Sequence, residues 1–173
     1  MKKLTLIIVA IMVLGGCVTF EVKREMLPDN TFLSTHPGFM LKFDKKFEYK
    51  GTLKNHGRGF SQDIFRADSS TNTERFLWST EYNTQHVIIE FNTLLGIGYW
   101  GSGLIYHSSE RDRVHTEKLG GKNWKTLSWE NDGYRGKTFR RITMNEKTII
   151  SIYYYTKELT LDKVLDDITF VKN

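Results

Sequence analysis

Hydrophobic and polar residues alternate along two stretches of the chain, residues 39–54 and 75–95. In each stretch about every second side chain is apolar or aromatic, and this period of two predicts strands with one buried face. The apolar positions that follow this period are Phe39, Leu41, Phe43, Phe47, Tyr49, Leu53, Phe76, Trp78, Tyr82, Val87, Ile89, Phe91 and Leu95. Polar turn residues at 55–59 and 83–85 interrupt the pattern and favour antiparallel pairing.

Three more strands are predicted after Gly120-Gly121, at about residues 123–130, 137–144 and 148–155. The turns between them are residues 131–133 and 145–147. Residues 149–155 are apolar on both faces except for Ser151, which is typical of a strand that is covered on both sides. We therefore place this strand near the centre of the sheet.

The C-terminal segment has the spacing of a helix. Thr160 suits the N-cap position, and four apolar residues then stand at i, i+3, i+4 and i+7 on one helical stripe. They are Leu161, Val164, Leu165 and Ile168. So short a helix is marginal alone in water, and we expect it to pack on the sheet. The predicted class is α+β: a single domain, mainly an antiparallel sheet of about six to seven strands, with a C-terminal helix packed on it.

This order of elements, an antiparallel sheet followed by a terminal helix, resembles the fold of PsbP, the extrinsic photosystem subunit, and of DcrB-type lipoproteins. The resemblance lies in the order of elements and has no motif beside it. Because one fold hosts unrelated functions, it implies an architecture and no activity.

The first 16 residues have the organisation of a secretory signal. Lys2 and Lys3 form a cationic head, residues 4–14 are almost wholly apolar, and Gly15 and Gly16 are small. An apolar run of this length is too short to span a bilayer comfortably, which takes about 20 residues.

Leu14-Gly15-Gly16-Cys17, at the end of the apolar run, resembles the lipobox of bacterial lipoproteins. The resemblance implies that signal peptidase II cuts between Gly16 and Cys17, and that the Cys17 thiol carries a diacylglycerol. Cys17 is the only cysteine, and lipidation would leave no orphan thiol in an oxidising compartment. Two or more acyl chains give stable anchoring. The alternative is an uncleaved membrane anchor with a chance cysteine.

The chain then divides into a signal peptide (1–16), a lipidated cysteine with a tether (17–35) and an α+β domain (36–173). Val18 follows the cysteine, at the position where an aspartate tends to keep the lipoproteins of diderm bacteria in the inner membrane. The expected location is the periplasmic or extracellular face of a membrane, with the outer membrane favoured in a diderm source.

The net charge and its distribution argue against nucleic acid as a partner. The full chain carries +5, and removal of Lys2 and Lys3 with the signal leaves 25 − 2 = 23 basic against 20 acidic residues, or +3. A nucleic-acid-binding protein shows a clustered basic face, whereas the basic residues here are scattered along the sequence. We expect no nucleic-acid partner.

A glycine-rich loop starts at Gly96, and residues 96–101 match the spacing of the dinucleotide fingerprint. Ser102-Gly103 follows instead of a helix, and the neighbouring strands are predicted to be antiparallel, so no cofactor is expected. Tyr99, Trp100 and Tyr106 make this segment a candidate binding loop for a protein, a glycan or lipid headgroups. The alternative is that Tyr99 and Trp100 fold back over an open sheet edge.

Candidate catalytic and metal-binding residues are few. His107, Glu110, Asp112 and His115 could surround a metal only on a helical segment, and their spacing does not secure three or four ligands, so we expect no metal. The chain has no G-x-S-x-G nucleophile motif, and the lipid that the lipobox resemblance implies would occupy the thiol of Cys17. We assign no catalytic residue and expect no enzyme.

The anchor and the lack of a catalytic motif favour a membrane-anchored, non-catalytic module that faces the envelope. Its partner would be an envelope protein or another component such as a glycan. Two alternatives stay open: a structural envelope lipoprotein without a ligand, and a hydrolase of envelope material. A deep cleft with converging histidines and carboxylates would favour the hydrolase.

Overall fold

The computed structural model describes residues 22–58, 70–95, 110, 113–143, 147–157 and 168–171. These residues form two antiparallel sheets, the small sheet with the order β1-β2-β3-β11 and the large sheet with the order β4-β5-β6-β10-β9-β8-β7. The strands are β1 (Arg24–Leu27), β2 (Thr31–Thr35), β3 (Gly38–Phe43), β4 (Phe47–Arg58), β5 (Ser70–Thr80), β6 (Gln85–Leu94), β7 (His115–Leu119), β8 (Lys122–Asn131), β9 (Tyr134–Ile142), β10 (Thr148–Thr156) and β11 (Ile168–Val171).

The predicted α+β class is wrong, because none of the residues just named as described lies in an α-helix. Ile168, the last position of the predicted helical stripe, is the first residue of β11, which pairs with β3. Residues 160–167 of that stripe lie outside the described residues. A second sheet can bury an apolar sheet face as well as a helix can, and here the small sheet covers the large one.

Two strands lie within the segment that was predicted to be a tether. β1 has 4 residues and β2 has 5, and Phe32 of β2 is fully buried. The sheet structure therefore includes residues before 36, the predicted start of the domain. Strands this short show too little alternation for their period to be recognised in the sequence.

β10 is the central strand of the large sheet, with three strands on each side. This confirms the prediction from the apolar run at 149–155. β10 pairs with β6 on one side and with β9 on the other, and both pairings are antiparallel. Every side chain of β10 is buried except those of Tyr153 and Tyr155, which are partly exposed.

Two-residue turns set the register of β7, β8 and β9. Gly120 and Gly121 join β7 to β8 with φ angles of 58° and 73°, and Asp132 and Gly133 join β8 to β9 with φ angles of 51° and 76°. Positive φ at both central residues is the type I′ turn, whose twist suits antiparallel strands. The turn predicted at residues 131–133 is confirmed.

Aromatic side chains fill the space between the sheets. Phe43 of the small sheet stacks on Trp78 of the large sheet, with ring centres 4.4 Å apart. Phe32 lies 4.8 Å from Phe76, also across the two sheets. Burial of one such side chain contributes roughly 1.5–3 kcal/mol, so this shared core holds the two sheets together.

Contacts between the sheets define two ends of the sandwich. Arg24, at the start of β1, forms an ion pair with Glu74 of β5. Asn30, in the turn after β1, donates a hydrogen bond to the carbonyl oxygen of Phe47 (3.1 Å). Phe47 pairs with Thr80, the last residue of β5, and the β5–β6 turn that follows carries Tyr82. We call these two ends the Arg24 end and the Tyr82 end.

Candidate functional site

Aromatic side chains gather on the face of the large sheet that points away from the small sheet. They are His86 on β6, Trp129 on β8, Tyr134 on β9 and Tyr155 on β10. We call these four residues, together with Lys157, the outer-face cluster. The four rings are partly exposed and Lys157 is exposed. The cluster lies towards the Tyr82 end.

Strand register brings the cluster together. Tyr155 faces His86 on β6 and Gly136 on β9, and Gly136 in turn faces Trp129 on β8. Tyr154, the preceding residue of β10, belongs to the buried core. Because side chains alternate along a strand, Tyr155 and its cross-strand neighbours point to the opposite face.

Tyr155 is the central ring of the cluster. His86 stacks on it with ring centres 4.7 Å apart and planes 18° apart. Tyr134 meets it edge-on at 5.5 Å, and Trp129 lies 6.0 Å away. Such ring pairs contribute about 0.5–1.5 kcal/mol each beyond their burial. The neighbouring rings therefore hold one another in place.

Gly136 makes room for the ring of Trp129. A Cβ atom on residue 136 would lie 2.2 Å from the indole ring, so a larger residue would displace it. The indole N–H donates a hydrogen bond to Oγ1 of Thr138 (3.0 Å). Trp129 is thus fixed across β9 while its side chain stays partly exposed.

Lys157 supplies the positive charge of the cluster, with its ammonium 4.7 Å from the centre of the Tyr134 ring. Burial lowers the pKa of His86 and the charge of Lys157 lowers it further, although the hydrogen bond from Nε2 to the Asn83 carbonyl (2.9 Å) acts in the opposite direction. The imidazole is therefore uncharged at neutral pH. Burial raises the pKa of the Tyr155 hydroxyl.

A polar row crosses the same face farther from the Tyr82 end. Glu90 is buried, and its carboxylate accepts hydrogen bonds from Arg75 Nε (2.5 Å) and from the Tyr153 hydroxyl (3.2 Å). Arg140 donates to the Tyr153 hydroxyl oxygen (3.2 Å). Both carboxylate oxygens are occupied, so the row links β5, β6, β10 and β9 and leaves no carboxylate poised there as a general base.

Most residues that the sequence singled out lie outside the described residues. They are Gly16, Cys17, Tyr99, Trp100, Tyr106, His107 and Asp112. His115 Nε2 lies 2.6 Å from Glu117 Oε1, which also contacts Lys137 at 2.7 Å. Among the residues that the structure describes, no three metal-binding side chains gather and no arrangement marks an enzyme.

Comparisons with known proteins found no match: no family model, no curated protein and no solved structure matches the chain. In the described part of the chain, no helix is long and apolar enough to cross a membrane. The lipobox and the likeness to PsbP and DcrB-type lipoproteins stay predictions.

The outer-face cluster was missed in the sequence, although one part of it has a local signal. Counting outward from the turn at 132–133 pairs Trp129 with Gly136. The pairing of His86 with Tyr155, in contrast, joins strands that are far apart in the chain. The apolar pattern fixes which face a side chain takes but not its partner on a distant strand.

Proposed function

We propose that this chain is a lipid-anchored, non-catalytic module that faces the periplasm or the cell exterior and binds an envelope protein or glycan. In a diderm source the outer membrane is the favoured location. The observation that carries the proposal is the outer-face cluster, a partly exposed aromatic surface with one lysine beside it.

The cluster has the properties of a binding surface. Its rings are held by their neighbours, so they lose little conformational freedom when a partner binds. Tyrosine and tryptophan dominate the energetics of many protein interfaces, because each offers an apolar body and a polar tip. Lys157 adds a charge that a carboxylate or a sugar hydroxyl can contact.

Binding fits this face better than catalysis. Its buried carboxylate, Glu90, is held by Arg75 and Tyr153. The imidazole of His86 stacks on Tyr155, and its Nε2–H donates a hydrogen bond to the Asn83 carbonyl oxygen. These groups hold the strands and rings in place.

Photo-crosslinking in intact cells tests the proposal. A photoreactive benzoylphenylalanine replaces Tyr134 in the full-length protein, and the control carries it at Leu53 on the edge strand β4, where the side chain is 64% exposed. We expect a discrete adduct with a protein or glycan from position 134, absent from position 53. Lys157→Ala should lower its yield.

A lack of position-specific crosslinking would contradict the proposed binding role of the cluster. Suppose that position 134 gives no adduct, or the same adducts as position 53, while the protein is folded and retained in the membrane. The cluster would then serve only to stabilise the large sheet, and the structural envelope lipoprotein without a ligand would be the better account.

A further inference from the structure

Exposed lysines collect at the Arg24 end of the sandwich. Lys23 precedes β1, and Lys118 and Lys122 flank the β7–β8 turn; all three side chains are exposed. Of the described carboxylates at this end, Glu74 is neutralised by contacts with both Arg24 and Lys54, the latter at 3.0 Å.

Glu117, on β7, is neutralised in a similar way by Lys137 (2.7 Å). Glu25, on β1, is an exposed carboxylate near Lys23. Among the described residues of the Arg24 end, the exposed lysines outnumber the exposed carboxylates, so this part of the surface is cationic.

The Tyr82 end has no such excess of positive charge among its described turn residues. Its turns carry four exposed carboxylates, and four exposed lysines lie in them or beside them. The carboxylates are Asp29, Asp44, Glu81 and Asp132, and the lysines are Lys42, Lys45, Lys46 and Lys157. Among the described residues, exposed lysines therefore outnumber exposed carboxylates at the Arg24 end and not at the Tyr82 end.

The proposed lipid anchor leaves from the cationic end. Arg24 follows Cys17 by 24 − 17 = 7 residues, which span at most about 25 Å when fully extended. Arg24 is itself fixed by Glu74 and by contact with the Phe91 ring, whose centre is 3.9 Å from the guanidinium carbon. A lipid on Cys17 would keep the Arg24 end close to the bilayer.

We propose that the Arg24 end is a membrane-contact surface, in which Lys23, Lys118 and Lys122 lie against anionic lipid headgroups. The proposal rests on the lipid anchor of the proposed function. Two exposed valines at the same end, Val22 (47%) and Val171 (37%), add apolar surface beside the lysines. This orientation turns the Tyr82 end, and with it the outer-face cluster, away from the bilayer and towards its partner.

Energy transfer from the protein to the bilayer tests this orientation. The lipidated full-length protein is reconstituted into phosphatidylcholine vesicles with or without phosphatidylglycerol, and the headgroups carry an acceptor dye. One donor dye is placed by Asn123→Cys and another by Asn131→Cys. Both asparagines are exposed and lie at opposite ends of β8, roughly 26 Å apart. Cys17 is the only native cysteine and is lipidated, so each variant has a single thiol.

We expect a donor at position 123 to transfer more efficiently than one at 131, and phosphatidylglycerol to widen the difference. Each lysine near an anionic surface strengthens the contact about five-fold, so removing three should weaken it on the order of 100-fold. Lys23→Gln/Lys118→Gln/Lys122→Gln should therefore abolish the effect of phosphatidylglycerol. The matched control, Lys42→Gln/Lys45→Gln/Lys46→Gln, removes three exposed lysines of the Tyr82 end and should keep it.

Equal transfer from both positions in both kinds of vesicle would overturn the proposed contact, because the sandwich would then have no preferred orientation. Retention of the effect in the Lys23, Lys118 and Lys122 variant would overturn the role of these lysines. Flotation of the vesicles separates these results from a failure of the anchor, since an unanchored protein would not float with the lipid.

Discussion

At the scale of single residues, the two glycines of the β7–β8 turn have different surroundings. Both have positive φ, but a Cβ on Gly120 would lie 2.4 Å from the Phe170 ring, whereas a Cβ on Gly121 meets nothing within 4 Å. We expect Gly121→Ala to lower the free energy of unfolding by about 1 kcal/mol, for backbone strain alone.

Gly120→Ala should lower the free energy of unfolding by about 2–4 kcal/mol, because the new methyl group must also displace Phe170 from its packing. Urea denaturation of the two variants measures the difference. Equal losses of unfolding free energy in the two variants would show that Phe170 moves aside freely and that its contact with the turn contributes little to stability.

Glu74 gives the molecule a defined response to acid. Burial raises the pKa of its carboxyl, but the hydrogen bonds from Arg24 and Lys54 outweigh burial, so the pKa lies below its ordinary value. The folded state therefore binds this proton more weakly than the unfolded state does. The resulting stability is complete above the ordinary glutamate range and disappears as the pH falls through the lowered pKa.

Glu74→Gln should cost about 1 kcal/mol at pH 7 and should make the free energy of unfolding less sensitive to pH between 5 and 3. The control is Glu81→Gln, which removes an exposed carboxylate from the β5–β6 turn. If both variants lose stability with acid as steeply as the parent, the link between Arg24 and Glu74 contributes nothing to that dependence.

At the scale of elements, Trp129 and Gly136 form one cross-strand unit. Gly136→Ala should lower the free energy of unfolding by about 1–3 kcal/mol, because its methyl group would lie only 2.2 Å from the Trp129 ring. Trp129→Ala removes that obstacle, so the double variant should be more stable than the sum of the two losses implies, by about 0.5–3 kcal/mol. A double-mutant cycle by thermal or urea unfolding measures this coupling, and strictly additive losses would contradict it.

The sequence predicted the elements whose signals are local. β3, β6 and β10 show clear periodicity or a continuous apolar run, and the turn at 132–133 has the residue types that its positive φ angles require. β1, β2, β7 and β11 were missed because each has only 4 or 5 residues. A helical stripe was predicted where Ile168 begins a strand, since tertiary pairing overrides local periodicity.

At the scale of the whole molecule, the sequence could not show what covers the apolar face of the large sheet. Alternation along β5 and β6 predicts a buried face, but a helix and a second sheet satisfy it equally well. The outer-face cluster could not be predicted either, because it depends on the pairing of β6 with β10, which are distant in the chain. The charge difference between the two ends also appears only after folding, because the lysines are scattered along the chain.

The shared core predicts that the two sheets unfold together. Phe32 of the small sheet contacts the rings of Phe76 and Trp78 in the large sheet. Phe32→Ala should therefore cost about 3–5 kcal/mol, with the change in tryptophan fluorescence coinciding with the change in circular dichroism. Tyr82→Ala, at a side chain that is 81% exposed, is the control and should change stability by less than about 0.5 kcal/mol. Two separate transitions would contradict a common core.

Both functional proposals depend on the lipid at Cys17, and the intact mass of the mature protein extracted from membranes tests it most directly. We predict the mass of a chain that begins at Cys17 with acyl chains attached, and for Cys17→Ala the loss of both the lipid and membrane retention. An unmodified full-length mass would contradict the account, because the sandwich would then be held by an uncleaved N-terminal segment and Cys17 would be a free thiol.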